Sequence, residues 1–166
     1  LGGKPVMCAP GHSVIKSLMA ESGAPLAGEM SGHVFFADGY YGYDDALYAA
    51  VRLLDIVAKS DQSLAEMISA MPQMINTPEI RIDVLEERKF AIVDEVLAQA
   101  RSANLDINDV DGLRVSGPDG WWLLRASNTE NALVVRCESQ DQEGLERLKG
   151  TVVAYLSAAN VTAPAF

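Results

Sequence analysis

Apolar positions along the chain fall into two periodic stretches separated by an aperiodic one at residues 72–78. The run Pro5 to Ala9, followed by Pro10-Gly11, predicts a short buried strand and a turn. Ser13 is a suitable N-cap for a helix with Val14, Ile15, Leu18 and Met19 on one face and Gly23 as its stop. Val34 to Phe36 has the composition of another buried strand, so strand, helix and strand predict a βαβ-type unit. After a turn-rich segment with three tyrosines, Asp44 or Asp45 caps a helix. Its Leu47, Ala50, Val51, Leu54, Val57 and Ala58 recur at helical spacing and predict a buried face. Adjacent acids do not face one site, so the Asp44-Asp45 pair reads as helix-start charge and not as metal ligands. Ser63-Leu64-Ala65-Glu66 is a capping box opening a short helix with Leu64, Met67, Ile68 and Met71 inward, and Pro72 ends it.

An aperiodic stretch with two prolines, residues 72–78, predicts a boundary between domains 1–73 and 74–166. The second half reads β-α-β-β-β-α. Ile80, Ile82 and Val84 alternate with Glu79, Arg81 and Asp83 in a half-buried strand, and residues 86–102 form a helix with Phe90, Val93, Leu97 and Ala100 inward. Three strands follow, at 113–115, 121–125 and 133–138, and residues 143–157 form a closing helix. Short turns between successive strands require an antiparallel sheet, with both helices on one side. Trp121 and Trp122 fall on opposite faces, so at most one is deep core. The expected fold class is α/β followed by α+β.

Composition narrows the function classes. The chain has 166 residues, is 49% hydrophobic and 22% charged, and carries a net charge of −10. That sign argues against nucleic acid and anionic membranes as partners, and no apolar run approaches the length of a membrane span. Cys8 and Cys137 stand far apart without metal-ligand spacing, which suits reduced thiols in a cytoplasmic protein. Leu1 to Lys4 lead directly into an apolar run, with no initiator methionine or basic-then-apolar leader. The expectation is a chain that begins partway through a folded unit.

Two loops carry candidate chemistry. In Gly28-Glu29-Met30-Ser31-Gly32-His33 the glycines allow a sharp bend. If that segment is extended, Glu29 and Ser31 point to one side and suit the adjacent hydroxyls of a polyol. The same residues also suit an ordinary turn with a satisfied histidine. In Arg125-Ala126-Ser127-Asn128-Thr129-Glu130-Asn131, Arg125 offers a planar fork of donors and Ser127 and Thr129 offer hydroxyls. Asn128 tolerates a left-handed backbone that lets N–H groups converge on an anion.

Gly-Glu-Met-Ser-Gly-His resembles the sugar-recognition loop of the α-D-phosphohexomutases, in particular the bacterial phosphomannomutase/phosphoglucomutase group. Arg-Ala-Ser-Asn-Thr is similar to that family's phosphate-binding loop. The two stand in the family's order over the whole chain. The resemblance implies the C-terminal part of such an enzyme: part of a third domain, then a fourth domain with a small antiparallel sheet and two helices on one face, TATA-box-binding-protein-like. It implies that Glu29 and Ser31 bind sugar hydroxyls, that His33 and His12 line the site, and that Arg125, Ser127, Asn128 and Thr129 hold a phosphate.

The implied reaction interconverts hexose 1-phosphate and hexose 6-phosphate of glucose or mannose. It proceeds through a phosphoserine, Mg²⁺ and a glucose 1,6-bisphosphate-type intermediate. The serine and metal loops lie in N-terminal domains of the same chain, so this portion is expected to have no catalytic residue, no metal ligand and no turnover. Family members commonly have Lys and Thr or Ser where this chain has Ala9-Pro10, and a proline near Asn131. Phosphoglucosamine mutases, which usually have Gln at the Met30 position, and a non-catalytic module binding phosphorylated ligands are the alternatives. Ala126 and Asn128 lean toward the phosphomannomutase/phosphoglucomutase side.

Overall fold

The computed structural model describes residues 2–163. The chain divides into two compact units, Leu1–Pro72 and Gln73–Phe166.

The first unit begins its regular structure with helix α1, His12–Ser22. Gly11, at φ 120°, is its N-cap, and no side chain caps it. Ser13, expected at the cap, lies inside the helix, because the chain enters the first turn one residue earlier through a glycine geometry. Gly23 ends the helix in the left-handed conformation with its N–H on the Met19 carbonyl, as its position predicts.

Strands β1 (Leu26–Gly28), β2 (Val34–Phe36) and β3 (Tyr43–Asp44) form an antiparallel sheet in that order. Phe35 is opposite Ala27 on one side and Asp44 on the other. Phe35 packs with Ile15 and Met19 of α1 in a small core, with Cys8, Ala24 and Ala27 around it. Residues 5–9 form no strand, and Val6 and Met7 are exposed. Apolar composition there does not suffice, since a strand exists only where a neighbour takes up its N–H and C=O groups. The helix and strands keep the expected order, but all described pairing is antiparallel.

Helix α2, Ala46–Ala58, is capped by Asp45, whose Oδ1 accepts from the Tyr48 N–H at 3.0 Å. Helix α3, Leu64–Ser69, has the reciprocal Ser63–Glu66 capping box. Neither helix has a buried residue, and Leu47 is 82% exposed. Helical spacing correctly located both helices. It could not say whether anything covers the apolar faces, and among the described residues those faces are open.

The second unit comprises β4 (Ile75–Asn76), β5 (Ile80–Asp83), α4 (Lys89–Ser102), β6 (Asp106–Asn108), β7 (Leu113–Gly117), β8 (Gly120–Ala126), β9 (Ala132–Ser139) and α5 (Gln142–Ala158). Its antiparallel sheet runs β4-β9-β8-β7-β6, with β5 also on β9, beyond β4 along the same strand. Thr77 joins the two: its N–H donates to the Cys137 carbonyl and its Oγ1 accepts from the Cys137 N–H.

Leu113, Val115, Trp122, Leu124, Leu133, Val135 and Cys137 alternate onto one face. There they meet Ile92, Val93, Val96 and Ala100 of α4 and Leu145, Leu148, Val152 and Leu156 of α5. Trp122 is 2% exposed, while Trp121, on the other face, donates from Nε1 to Glu138 and stacks under Arg114. Helix α4 starts later than its pattern predicts, which turns Phe90 outward and Lys89 inward. At the β7–β8 turn Gly120 has φ 126°, and a Cβ there would lie 2.1 Å from the Glu138 carbonyl oxygen, so only glycine fits.

Candidate functional site

The loop after β1 is a tight hairpin turn. The Gly32 N–H donates to the Glu29 carbonyl at 3.0 Å, and the Glu29 N–H donates to the His33 carbonyl at 2.9 Å. Gly32, at φ 94°, supplies the backbone angle that closes it. Glu29 and Ser31 therefore stand on a turn, not on an extended segment, and strand alternation does not align them. Glu29 folds toward α1 instead, and its Oε1 accepts from the Gly11 N–H at 2.8 Å. Ser31 and His33 are exposed. This one hydrogen bond brings the carboxylate to the start of the helix that carries His12.

The two histidines converge there. Their rings meet edge to face, 4.9 Å between centroids, and the His12 ring sits 5.2 Å from that of buried Phe35. Between them lies Asp44: its Oδ2 is 2.5 Å from His33 Nδ1 and 3.3 Å from His12 Nε2. Of the two acids expected at the helix start, Asp45 alone caps α2. The only sequence signal for Asp44 was redundancy, two acids where one cap suffices. The Tyr40 hydroxyl bonded to Asp45, together with the Tyr48 amide, holds the Asp45 carboxyl below its ordinary range. Tyr40 stacks on Tyr48 at 3.9 Å, packing the tyrosine loop onto its own unit, while Tyr41 and Tyr43 are exposed.

His12, Glu29 and His33 present ligand atoms within 4.8 Å of one another. Two imidazoles and a carboxylate match zinc-type coordination. They do not fit Mg²⁺, which demands an octahedron of oxygens. The same donors and acceptors match the hydroxyls of a polyol.

The second loop joins β8 to β9. Ser127 is buried, and its N–H donates to the Ala132 carbonyl. Its Oγ accepts from the Glu130 N–H at 3.1 Å and the Thr129 N–H at 3.4 Å, so the hydroxyl closes a turn while its own proton remains available for donation. Asn128 does not take the left-handed backbone foreseen for it; among described residues other than glycine, only Asn104 and Asn160 have positive φ. Asn128 and Thr129 are exposed.

Arg125 is half-buried, with Nη1 3.6 Å from Asp111 Oδ2. Two further cations touch the loop. Lys89, 2% exposed, donates from Nζ to the Glu130 carbonyl at 3.1 Å and pairs with Glu86, and Arg81 pairs with the Glu130 carboxylate. Neither was legible from spacing, since Lys89 falls where the pattern places a helix face and Arg81 on the polar side of a strand. The hollow on the α4 side of Asn128 is lined by Asp94, Asp109 and Asp111 and is too acidic for an anion.

Residues 1–75 match the family model described as phosphoglucomutase/phosphomannomutase, alpha/beta/alpha domain III, and residues 79–154 match that for its C-terminal domain. A phosphomannomutase/phosphoglucomutase of Pseudomonas aeruginosa is 47% identical over 163 residues, covering 98% of this chain and 35% of that protein. A phosphoglucomutase of Neisseria meningitidis is 43% identical over 159 residues, 95% of this chain and 34% of its own length. The crystal structure of a phosphoglucomutase/phosphomannomutase family protein from Burkholderia thailandensis superposes with a TM-score of 0.87 at 40% identity, over 98% of this chain and 34% of that one. The chain thus spans about a third of the length of the curated relatives it matches. Across both units it belongs to the phosphoglucomutase/phosphomannomutase family, with its first unit matching domain III and its second the C-terminal domain.

Proposed function

We propose that this chain is the substrate-recognition part of a phosphohexomutase that interconverts hexose 1-phosphate and hexose 6-phosphate through a phosphoserine and a bisphosphorylated intermediate. Glu29 and Ser31 bind sugar hydroxyls. His33 and His12 stand beside them, and an imidazole is the side chain suited to take a hydroxyl proton near neutral pH. Arg125, Ser127, Asn128 and Thr129 hold the phosphate that is not transferred. Binding displaces Asp111 from the Arg125 guanidinium, because a phosphate offers the bidentate geometry that a single oxygen at 3.6 Å does not.

Mg²⁺ and the phosphoserine supply charge neutralisation and the phosphoryl donor in the whole enzyme. The His12, Glu29 and His33 set, with two imidazoles, does not suit that metal. The reading is carried by one observation: two loops of the right chemistry sit in family order within a chain matching two consecutive domains of one family.

Titrating ¹⁵N-labelled protein with inorganic phosphate and with glucose 1-phosphate tests it. The amides of residues 125–131 should shift with both ligands, and those of residues 28–33 with the sugar phosphate only. Shifts that leave 125–131 unmoved reduce that loop to a structural hairpin. The chain alone should not convert glucose 1-phosphate to glucose 6-phosphate, since positioning cannot replace an absent donor. Turnover by material free of host enzyme overturns the assignment of roles.

A further inference from the structure

We propose that Asp44 is the positioning residue of the histidine pair: its carboxylate holds His33 with the proton on Nδ1, so that Nε2 faces the ligand as a proton acceptor. This rests on the reading of the 28–33 loop as a sugar site. The geometry behind it is local to the first unit. Asp44 ends β3 directly opposite Phe35, two residues after His33, so strand pairing holds carboxylate and imidazole side by side. Its Oδ2 lies 2.5 Å from His33 Nδ1, and the same oxygen lies 3.3 Å from His12 Nε2.

An ionised carboxylate only accepts hydrogen bonds, so the nitrogen facing it must donate. His33 is thereby held as Nδ1–H with a bare Nε2, while His12 Nε2 stands 3.3 Å from the same oxygen. Exposure agrees with the division of labour: the Asp44 side chain is 15% exposed, against 47% for that of His33 and 51% for that of His12. The carboxylate is tucked beneath, and the rings are open to a ligand. When a sugar hydroxyl oxygen bonds to the phosphorus of the phosphoserine proposed above, the bond from that phosphorus to the serine oxygen breaks, the serine oxygen leaves with its electron pair, and the sugar hydroxyl proton moves to Nε2. The resulting imidazolium is stabilised by the Asp44 charge, and the Nδ1 proton stays where it was.

Asp44 touches neither sugar nor phosphate in this arrangement, so its removal must act through tautomer and ring orientation. The chain has two histidines, which makes the test direct. With ¹⁵N-labelled histidine, two-bond ¹H–¹⁵N spectra above the imidazole titration report which nitrogen carries the proton, and His12→Asn assigns the pair. The expected result is Nδ1–H for His33 in the parent, reverting in Asp44→Ala to the Nε2–H form that free imidazole prefers. An Nε2–H His33 in the parent, or an Nδ1–H form unchanged in Asp44→Ala, overturns the proposal.

The second arm uses the full-length enzyme. Asp44→Asn should lower kcat by about 10²- to 10⁴-fold, within the range of a lost or mis-set general base, with KM little changed. Asp44→Glu should recover part of the loss. A kcat equal to the parent's, or a loss confined to KM, overturns the positioning role even if the spectra hold. An Asp44-dependent tautomer in a parent enzyme that turns over no hexose phosphate instead overturns the function proposed above and leaves the pairing itself standing.

Discussion

The two units pursue stability in different ways. The second closes a core between one sheet face and two helices, with Trp122, Leu133 and Val135 almost wholly enclosed. The first buries Ile15, Met19 and Phe35 and leaves the apolar faces of α2 and α3 open. Its order comes from directed polar contacts: the Glu29–Gly11 bond, the Asp44 bridge, the Asp45 cap and the Ser63–Glu66 box. Burial gives a unit that stands alone, whereas polar contacts of this kind set geometry and contribute modestly to stability.

The largest contrast should appear when the units are separated. Residues 73–166 should unfold in a single cooperative urea transition and give a dispersed amide spectrum. Residues 1–72 should give neither. A collapsed spectrum from the second unit, or a cooperative transition from the first, would show that core burial does not decide which unit folds alone.

Single substitutions sharpen it. Trp122→Ala in the whole chain should cost about 3–5 kcal/mol by urea unfolding, the range for a large ring removed from a packed core. Leu54→Ala, on the open face of α2, should stay within about 0.5 kcal/mol. Comparable losses at both sites would show that the α2 face is covered in solution.

At the loops the contrast becomes one of ligands. Arg125→Ala should weaken phosphate binding about ten- to a hundredfold, the worth of a charge-assisted hydrogen bond. Glu29→Ala should leave inorganic phosphate unaffected and reduce only the preference for a hexose phosphate over it. Isothermal titration of both variants with both ligands checks this. A Glu29→Ala effect on phosphate alone would contradict the separate roles.

The smallest effect concerns the thiols. Burial pushes the Cys137 thiol from 9.0 up to about 11, while Cys8 is half-buried at the edge of the small core. Iodoacetamide at pH 8 should modify Cys8 and leave Cys137 untouched until the protein unfolds. The native state holds the Cys137 proton where the unfolded chain has lost it, so this group lowers stability as pH rises from about 9 toward 11. Rapid modification of native Cys137 would mean that the second unit opens easily.

What could be read in the sequence was whatever a residue settles with its near neighbours. A cap at Asp44 or Asp45, the Ser63–Glu66 box, the Gly23 stop and the alternation that put Trp121 and Trp122 on opposite faces all depend on residues one to four positions apart. The two candidate loops could be singled out for the same reason: each is one contiguous stretch whose residue types suit a ligand. Tertiary structure decided what depends on distant partners. Whether the apolar face of α2 is covered, whether residues 5–9 find a strand to pair with, and whether Lys89 turns inward to the Glu130 carbonyl are questions of what lies opposite, and spacing is silent on that. Asp44 shows it most plainly. Its composition and position suit a helix cap, and only the register of β2 against β3, with the entry of α1 beside them, turns the same carboxylate into the bridge between two histidines.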